Sequence, residues 1–366
     1  MKIWLTKFLL LFLGMVIAFL AGEVGLRAKR ALLAPNIMEY DGKTGLLRLP
    51  PYSQQPIKTA CWENTISANS QGFHDTEFKL EKPDDVFRIV ILGDSMLEAY
   101  QVPIKDSFQY LLEERLNNLA GRNKKFEVYS FGVGGIGTFK HHLYLNQYVL
   151  KYKPDLVVLS FLPINDFGND FEARDDIFDK NGQVRKELPL TERISNYSVL
   201  MQWLKAKWRI AKTYVFRQSV SQVPFDFQVF LKEYPESWQK IWDLEKTLIG
   251  RMNRTSRESG AKFLLISLPD MWRTHPYLIE KYPELQKSLA FSETDFDKPE
   301  KLLEEIAKEN NFAFLNLTIP FREKAKETKE EVFFWACDGH WNKTGHLWAQ
   351  DMIFNYFQGQ KELLAN

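Results

Sequence analysis

The stretch FRIVILGDS, residues Phe87–Ser95, decides the fold. After Arg88 come four consecutive branched aliphatic residues with no polar alternation. That pattern describes a short strand buried on both faces, and the Gly93-Asp94 that ends it marks a turn. A helical stripe follows at Phe108, Leu111, Leu112, Leu116 and Leu119, with Asp106 read as its N-cap. The same pattern recurs along the chain. FEVYSF (126–131), DLVVLSF (155–161), KFLLISL (262–268) and FAFLNL (312–317) read as further strands. Helical patterns lie at about 139–151, 240–258, 299–309 and 343–357. Strands alternating with helices predict a mostly parallel five-stranded sheet with helices on both faces.

Working outward, the chain divides into three regions. Residues 84–366 carry the α/β pattern, interrupted at about 168–258 by a helical insertion in which Trp203, Trp208, Trp238 and Trp242 fall among charged residues. The insertion reads as a lid over the strand ends or as a docking surface for a partner membrane protein. Residues 31–83, rich in Pro, Ser, Asn and Gln, read as a linker and an irregular collar. Residues 1–30 read as a membrane segment: an apolar run from Phe8 to Gly22, with Lys2 and Lys7 before it and Arg27, Lys29 and Arg30 after. An uncleaved transmembrane helix fits best, because no clean A-x-A cleavage site is present; a cleaved signal peptide is the rival. Either places the rest of the chain outside the cytoplasm. There Cys61 and Cys337 form a disulfide or remain two buried thiols, readings of equal weight. A net charge of +1 offers no basic field, which excludes nucleic acid as a partner.

In an open parallel sheet, ligands bind beyond the carboxyl ends of the strands. Three blocks fall at such ends: Gly93-Asp94-Ser95, the loop Gly132-Val133-Gly134-Gly135-Ile136-Gly137, and Pro163-Ile164-Asn165-Asp166. A fourth, Cys337-Asp338-Gly339-His340-Trp341-Asn342, precedes the last helix. A serine hydroxyl becomes a nucleophile when a base takes its proton, and His340 is the candidate base. Asp338 is the carboxylate placed to hold the far imidazole nitrogen. The Ser95 amide, a glycine amide of the 132–137 loop and the Asn165 side chain are the candidate oxyanion donors.

Other readings weigh less. The glycine loop also spells G-x-G-x-x-G, but the acid such a dinucleotide site needs, Asp155, begins its strand instead of ending it. His340 with His346, and His141 with His142, lack the spacing of a metal site. A catalytically idle binding module is the third alternative.

Taken together, the four blocks resemble the SGNH (GDSL-type) hydrolase superfamily. The resemblance covers about residues 84–357. It implies a flavodoxin-like three-layer α/β/α sandwich and no metal or organic cofactor. It assigns Ser95 as nucleophile, Gly135 and Asn165 as oxyanion donors with the Ser95 amide, and Asp338 and His340 as the rest of a triad. Pro163 stands where the family has glycine, and the acid and base are spaced D-x-H instead of D-x-x-H. The D-x-H-W form resembles the alginate acetyltransferase-like branch. The expected activity is therefore hydrolysis of an acyl ester, an O-acetyl group in its narrower form, on an envelope glycan or lipid. O-acyl transfer to a polysaccharide is the alternative.

Overall fold

The computed structural model describes residues 2–33, 37–119, 124–174, 176–218, 223–281, 286, 289, 294–328 and 332–365. The first helix is α1 (Lys2–Leu33). Two short antiparallel pairs follow, β1 (Glu39–Tyr40) with β2 (Leu47–Arg48), and β3 (Gln54–Lys58) with β4 (Glu63–Ser67). The α/β part then runs β5 (Val86–Gly93), α2 (Ser95–Glu98), α3 (Phe108–Asn117), β6 (Lys125–Gly132), α4 (Thr138–Tyr144), β7 (Leu156–Phe161) and α5 (Pro163–Ala173). Helices α6 (Leu190–Tyr197), α7 (Val199–Gln218) and α8 (Glu236–Glu258) precede β8 (Lys262–Ser267). The chain ends through α9 (Met271–Thr274), α10 (Tyr277–Glu280), α11 (Lys298–Asn310), β9 (Ala313–Asn316), α12 (Thr318–Thr328) and α13 (Lys343–Gly359).

The five strands β5 to β9 form one sheet, parallel throughout, in the order β6-β5-β7-β8-β9. This is the flavodoxin-like order, with helices on both faces. Each predicted strand is present. Strands β5 and β7 are buried along their whole length, which is why their sequences are continuous apolar runs. Phe87, Ile89 and Ile91 share one core with residues of α3, α12 and α13. Helices α4, α5, α8 and α11 form the other packed group.

Arg88 is the polar exception inside β5. Its guanidinium is fully buried, 2.7 Å from the Glu127 carboxylate, and donates to the Tyr152 and Glu81 carbonyls. Asp155 accepts the Arg88 amide at 2.7 Å. It lies at the amino edge of the sheet, away from the strand ends where a dinucleotide ribose would need it.

The chain forms two compact units. One comprises residues 1–48 with 188–219, the other 49–187 with 220–366. These boundaries differ from the sequence-based ones in two ways. Residues 49–83 belong with the sheet: the Asp75 carboxylate accepts the Ser130 amide of β6 at 2.7 Å, and the Asn64 side chain of β4 donates to the Tyr100 and Val102 carbonyls in the loop after α2. The helical insertion is split, its middle part belonging with α1.

Two smaller expectations change as well. Asp106 does not cap α3; Ser107 occupies that position in an extended conformation, while Asp106 ends a short 3-10 turn and pairs with Lys343 at 2.9 Å. The helix read at 139–151 is α4 continued by a π turn and a 3-10 turn.

The four insertion tryptophans part company accordingly. Trp238 and Trp242 on α8 are buried, with Trp238 at 5.2 Å from the Phe225 ring and Trp242 at 4.3 Å from Phe167. Trp203 and Trp208 on α7 are exposed. Truncating a buried aromatic removes a large apolar area and leaves a cavity. Trp238→Ala is therefore expected to cost about 3–5 kcal/mol in urea unfolding, and Trp208→Ala less than about 0.5 kcal/mol.

Candidate active site

The site is built on the reversal of strand order. Strand β5 pairs with β6 on one side and β7 on the other, so the loops leaving β5 and β7 diverge and open a crevice at their carboxyl ends. Ser95 begins α2 directly after β5, so its amide is one of the N-terminal donors that the helix itself does not pair. Asp94 caps this helix, accepting the Met96 amide at 3.0 Å. The loop after β6 passes close by. A Cβ added at Gly134 would lie 2.8 Å from a Glu98 carboxylate oxygen and 3.3 Å from the Ser95 Cβ, so only glycine lets the loop come this near the serine.

The fourth block meets Ser95 from the far end of the chain. The Ser95 Oγ lies 2.8 Å from His340 Nε2, and His340 Nδ1 lies 2.5 Å from Asp338 Oδ1. The intervening Gly339 has φ of +79°, a left-handed conformation that turns both flanking side chains to the same side. The Trp335 carbonyl accepts the Asp338 and Gly339 amides at 3.0 and 2.7 Å, and the Trp335 amide donates back to the His340 carbonyl at 2.8 Å. This closed turn is the physical reason that the D-x-H spacing delivers an aligned pair. Trp341 is buried against Phe321 and Phe108, and Asn342 caps α13 by accepting the Gly345 amide at 3.0 Å. The histidine backbone is thus held between a packed ring and a capped helix.

The second oxygen of Asp338 is also occupied. The Trp62 indole N–H donates to it, and the Gln101 side-chain amide lies 3.4 Å away. Trp62 sits in the turn between β3 and β4, beside Cys61, which is joined to Cys337 by a disulfide with Cα atoms 6.0 Å apart. Trp62 and Gln101 were not among the sequence-predicted site residues, and the cysteine pair alone hinted that the collar reaches this loop.

Asn165 stands in the first turn of α5, half-buried, and its side-chain amide donates to Asp94 Oδ2 at 2.8 Å. One amide hydrogen remains to aim elsewhere. The Gly134 amide is taken by the Glu98 carboxylate. Among the described residues, no acceptor takes the amide of Ser95 or of the exposed Gly135. The crevice floor beneath is acidic. Asp94 and Asp166 are fully buried, and burial pushes both carboxyls up. Asp166 accepts the Leu162 amide at 2.7 Å, and Asp170 accepts the Phe139 amide at 3.0 Å, tying down the loops after β7 and β6.

The other histidines lie apart from this cluster. His141 and His142 are buried on α4, where burial pushes each down to about 3. His346 is buried on α13, its Nδ1 accepting the Phe108 amide at 3.3 Å.

No family model and no curated protein matches the chain. Among solved structures it is similar to the acetyl xylan esterase AlAXEase, at 14% identity over 74% of this chain and 99% of that one, with a TM-score of 0.41. It is similar to TesA at 13% identity over 74% and 98%, TM-score 0.38. An acetylxylan esterase from Geobacillus stearothermophilus gives 12% identity over 74% and 93%, TM-score 0.43. Functional inference therefore rests on the side-chain geometry of this chain.

Two outcomes follow. Trp62→Phe keeps an aromatic ring but removes the donor to Asp338; it is expected to cost about 1.5–3 kcal/mol in urea unfolding, the size of one hydrogen bond to a charged group. The second concerns Glu98, which burial pushes up from 4.5 to about 7. Between those values the native carboxyl holds a proton that the unfolded chain has released. The associated stability is present below pH 4.5 and lost as pH rises to about 7, amounting to about 3 kcal/mol. Glu98→Gln is expected to flatten the fall of Tm across that window.

Proposed function

We propose that this chain is a membrane-anchored serine esterase of the SGNH type, working through an acyl-enzyme. The observation that carries the reading is the relay Asp338–His340–Ser95, at 2.5 and 2.8 Å, at the carboxyl rim of the sheet. An ester carbonyl carbon approached by Ser95 Oγ is attacked as His340 Nε2 takes the hydroxyl proton. Asp338 accepts from Nδ1–H, fixes the tautomer and stabilises the imidazolium. Charge on the carbonyl oxygen is met by N–H groups of Ser95, Gly135 and Asn165. Among the described residues no acceptor takes the two backbone amides, and the Asn165 side chain keeps one hydrogen after its bond to Asp94. His340 then protonates the departing alkoxide, and water, deprotonated by the same imidazole, releases the acid and restores Ser95.

The substrate we favour is an O-acyl group, acetyl first, on an envelope glycan or lipid. Support comes from α1, the described helix long and apolar enough to cross a membrane (Ile3–Leu32), which would hold the site beside the envelope.

Incubation with an acetyl ester, with and without a glycan acceptor, tests the proposal. Acetate release in both conditions is the expected result; transfer of acetyl to the glycan in place of release would make the chain an acyltransferase. Ser95→Ala and His340→Ala are each expected to lower turnover by roughly a thousandfold or more. Labelling by a fluorophosphonate should vanish in Ser95→Ala. Unlabelled, folded wild type would sink the enzyme reading.

A further inference from the structure

Helices α6 and α7 are turned the wrong way round for water. On α6 the outward stripe is Leu190, Ile194 and Tyr197, exposed at 66, 61 and 50%, while the polar Asn196 is buried and donates to the Gly45 carbonyl. On α7 the outward residues include Trp203, Leu204, Lys207 and Trp208, which recur at helical spacing on one face. A water-facing helix buries its apolar stripe. A contiguous exposed one marks a surface that another phase or molecule covers.

What covers it is indicated by where α7 begins. The Glu23 carboxylate of α1 accepts from the Ser198 hydroxyl at 2.8 Å and from the Val199 and Leu200 amides at 3.0 and 2.9 Å. A side chain of α1 therefore shares the capping of α7 with Ser198, whose hydroxyl accepts the Met201 amide at 3.1 Å. Arg27 completes the joint, bonding Glu23 at 2.7 Å and the Tyr197 carbonyl at 2.8 Å. Along α1, residues 3–21 are exposed and apolar except Thr6 and Lys7, and burial begins at Gly22, whose Cβ would meet Leu200 at 3.2 Å. The α6–α7 hairpin thus joins α1 at the point where its bare apolar run stops. Tryptophan and tyrosine are the side chains that concentrate at the membrane–water boundary. Lys207, its ammonium 5.9 Å from the Trp203 ring, suits the adjoining phosphates.

We propose that the α6–α7 hairpin lies on the bilayer surface, with Leu190, Ile194, Tyr197, Trp203, Leu204 and Trp208 in the headgroup–acyl boundary, and that α1 is retained as part of this unit. The proposal rests on the anchor reading of α1. It goes beyond it by adding a second, surface-lying contact and by giving α1 a structural duty that a removed leader could not perform.

The test uses the full chain in phosphatidylcholine–phosphatidylglycerol vesicles, with one added cysteine carrying a fluorophore and nitroxide lipids as quenchers. Phe12→Cys, in the apolar run, is expected to lose intensity most to nitroxides deep in the acyl chains. Leu204→Cys should lose most to nitroxides near the headgroup. Trp208→Cys reads the same face should Leu204→Cys disturb the fold. Quenching at Phe12 with none at Leu204 or Trp208 overturns the surface contact and leaves the anchor standing. No quenching at Phe12 overturns the anchor itself. A Leu204 label bright in vesicles but shielded in native membranes assigns the face to a protein partner and also overturns the proposal.

Discussion

Strand β5 lies between β6 and β7, so the chain leaves it toward one edge of the sheet and then crosses back over it to reach the other. That reversal is the constraint on which the rest depends. It sends successive crossovers to opposite faces and pulls apart the loops that follow β5 and β7. Ser95 and Asn165 are each near the start of one of those loops, and the 2.8 Å bond between Asn165 and Asp94 closes the floor between them. Everything else at the site is brought to this gap: the glycine loop by close approach, the histidine by a closed turn, the carboxylate by contacts from the collar.

Burial on both faces made the sheet legible. A strand such as LVVLSF has no solvent side, so its composition alone announces it, and the order of elements did the rest. Ser95, Asn165 and His340 were visible for a related reason: they are reactive or amide-bearing residues at points where the pattern ends. The β3–β4 hairpin had no such signature. Its strands, QQPIK and ENTIS, bury a single side chain between them, Ile66, and have almost no apolar content to repeat. Its meaning is tertiary, since Trp62 reaches a carboxylate 276 positions away. The four insertion tryptophans misled for a similar reason. All sit among charged residues, yet on α8 the apolar face meets Phe167 and Phe225, while Trp203 and Trp208 of α7 are exposed. Local composition carries no record of which face is turned inward.

The closed turn around Gly339 shows how a departure in spacing can leave geometry intact. One residue fewer between acid and base would ordinarily swing their side chains apart. A left-handed glycine and two amides converging on the Trp335 carbonyl restore the alignment. The acid is then held from both sides, by the imidazole on one oxygen and the indole on the other. Such a carboxylate has little rotational freedom left, and it holds the His340 ring in one orientation.

The order of these groups along the chain also has a consequence in time. Ser95 and His340 are separated by 245 positions, and synthesis runs from the amino end. A growing chain therefore holds its serine, its glycine loop and its asparagine long before it holds a base. The Ser95 hydroxyl has no imidazole beside it until the segment after residue 334 has emerged and folded back onto the sheet.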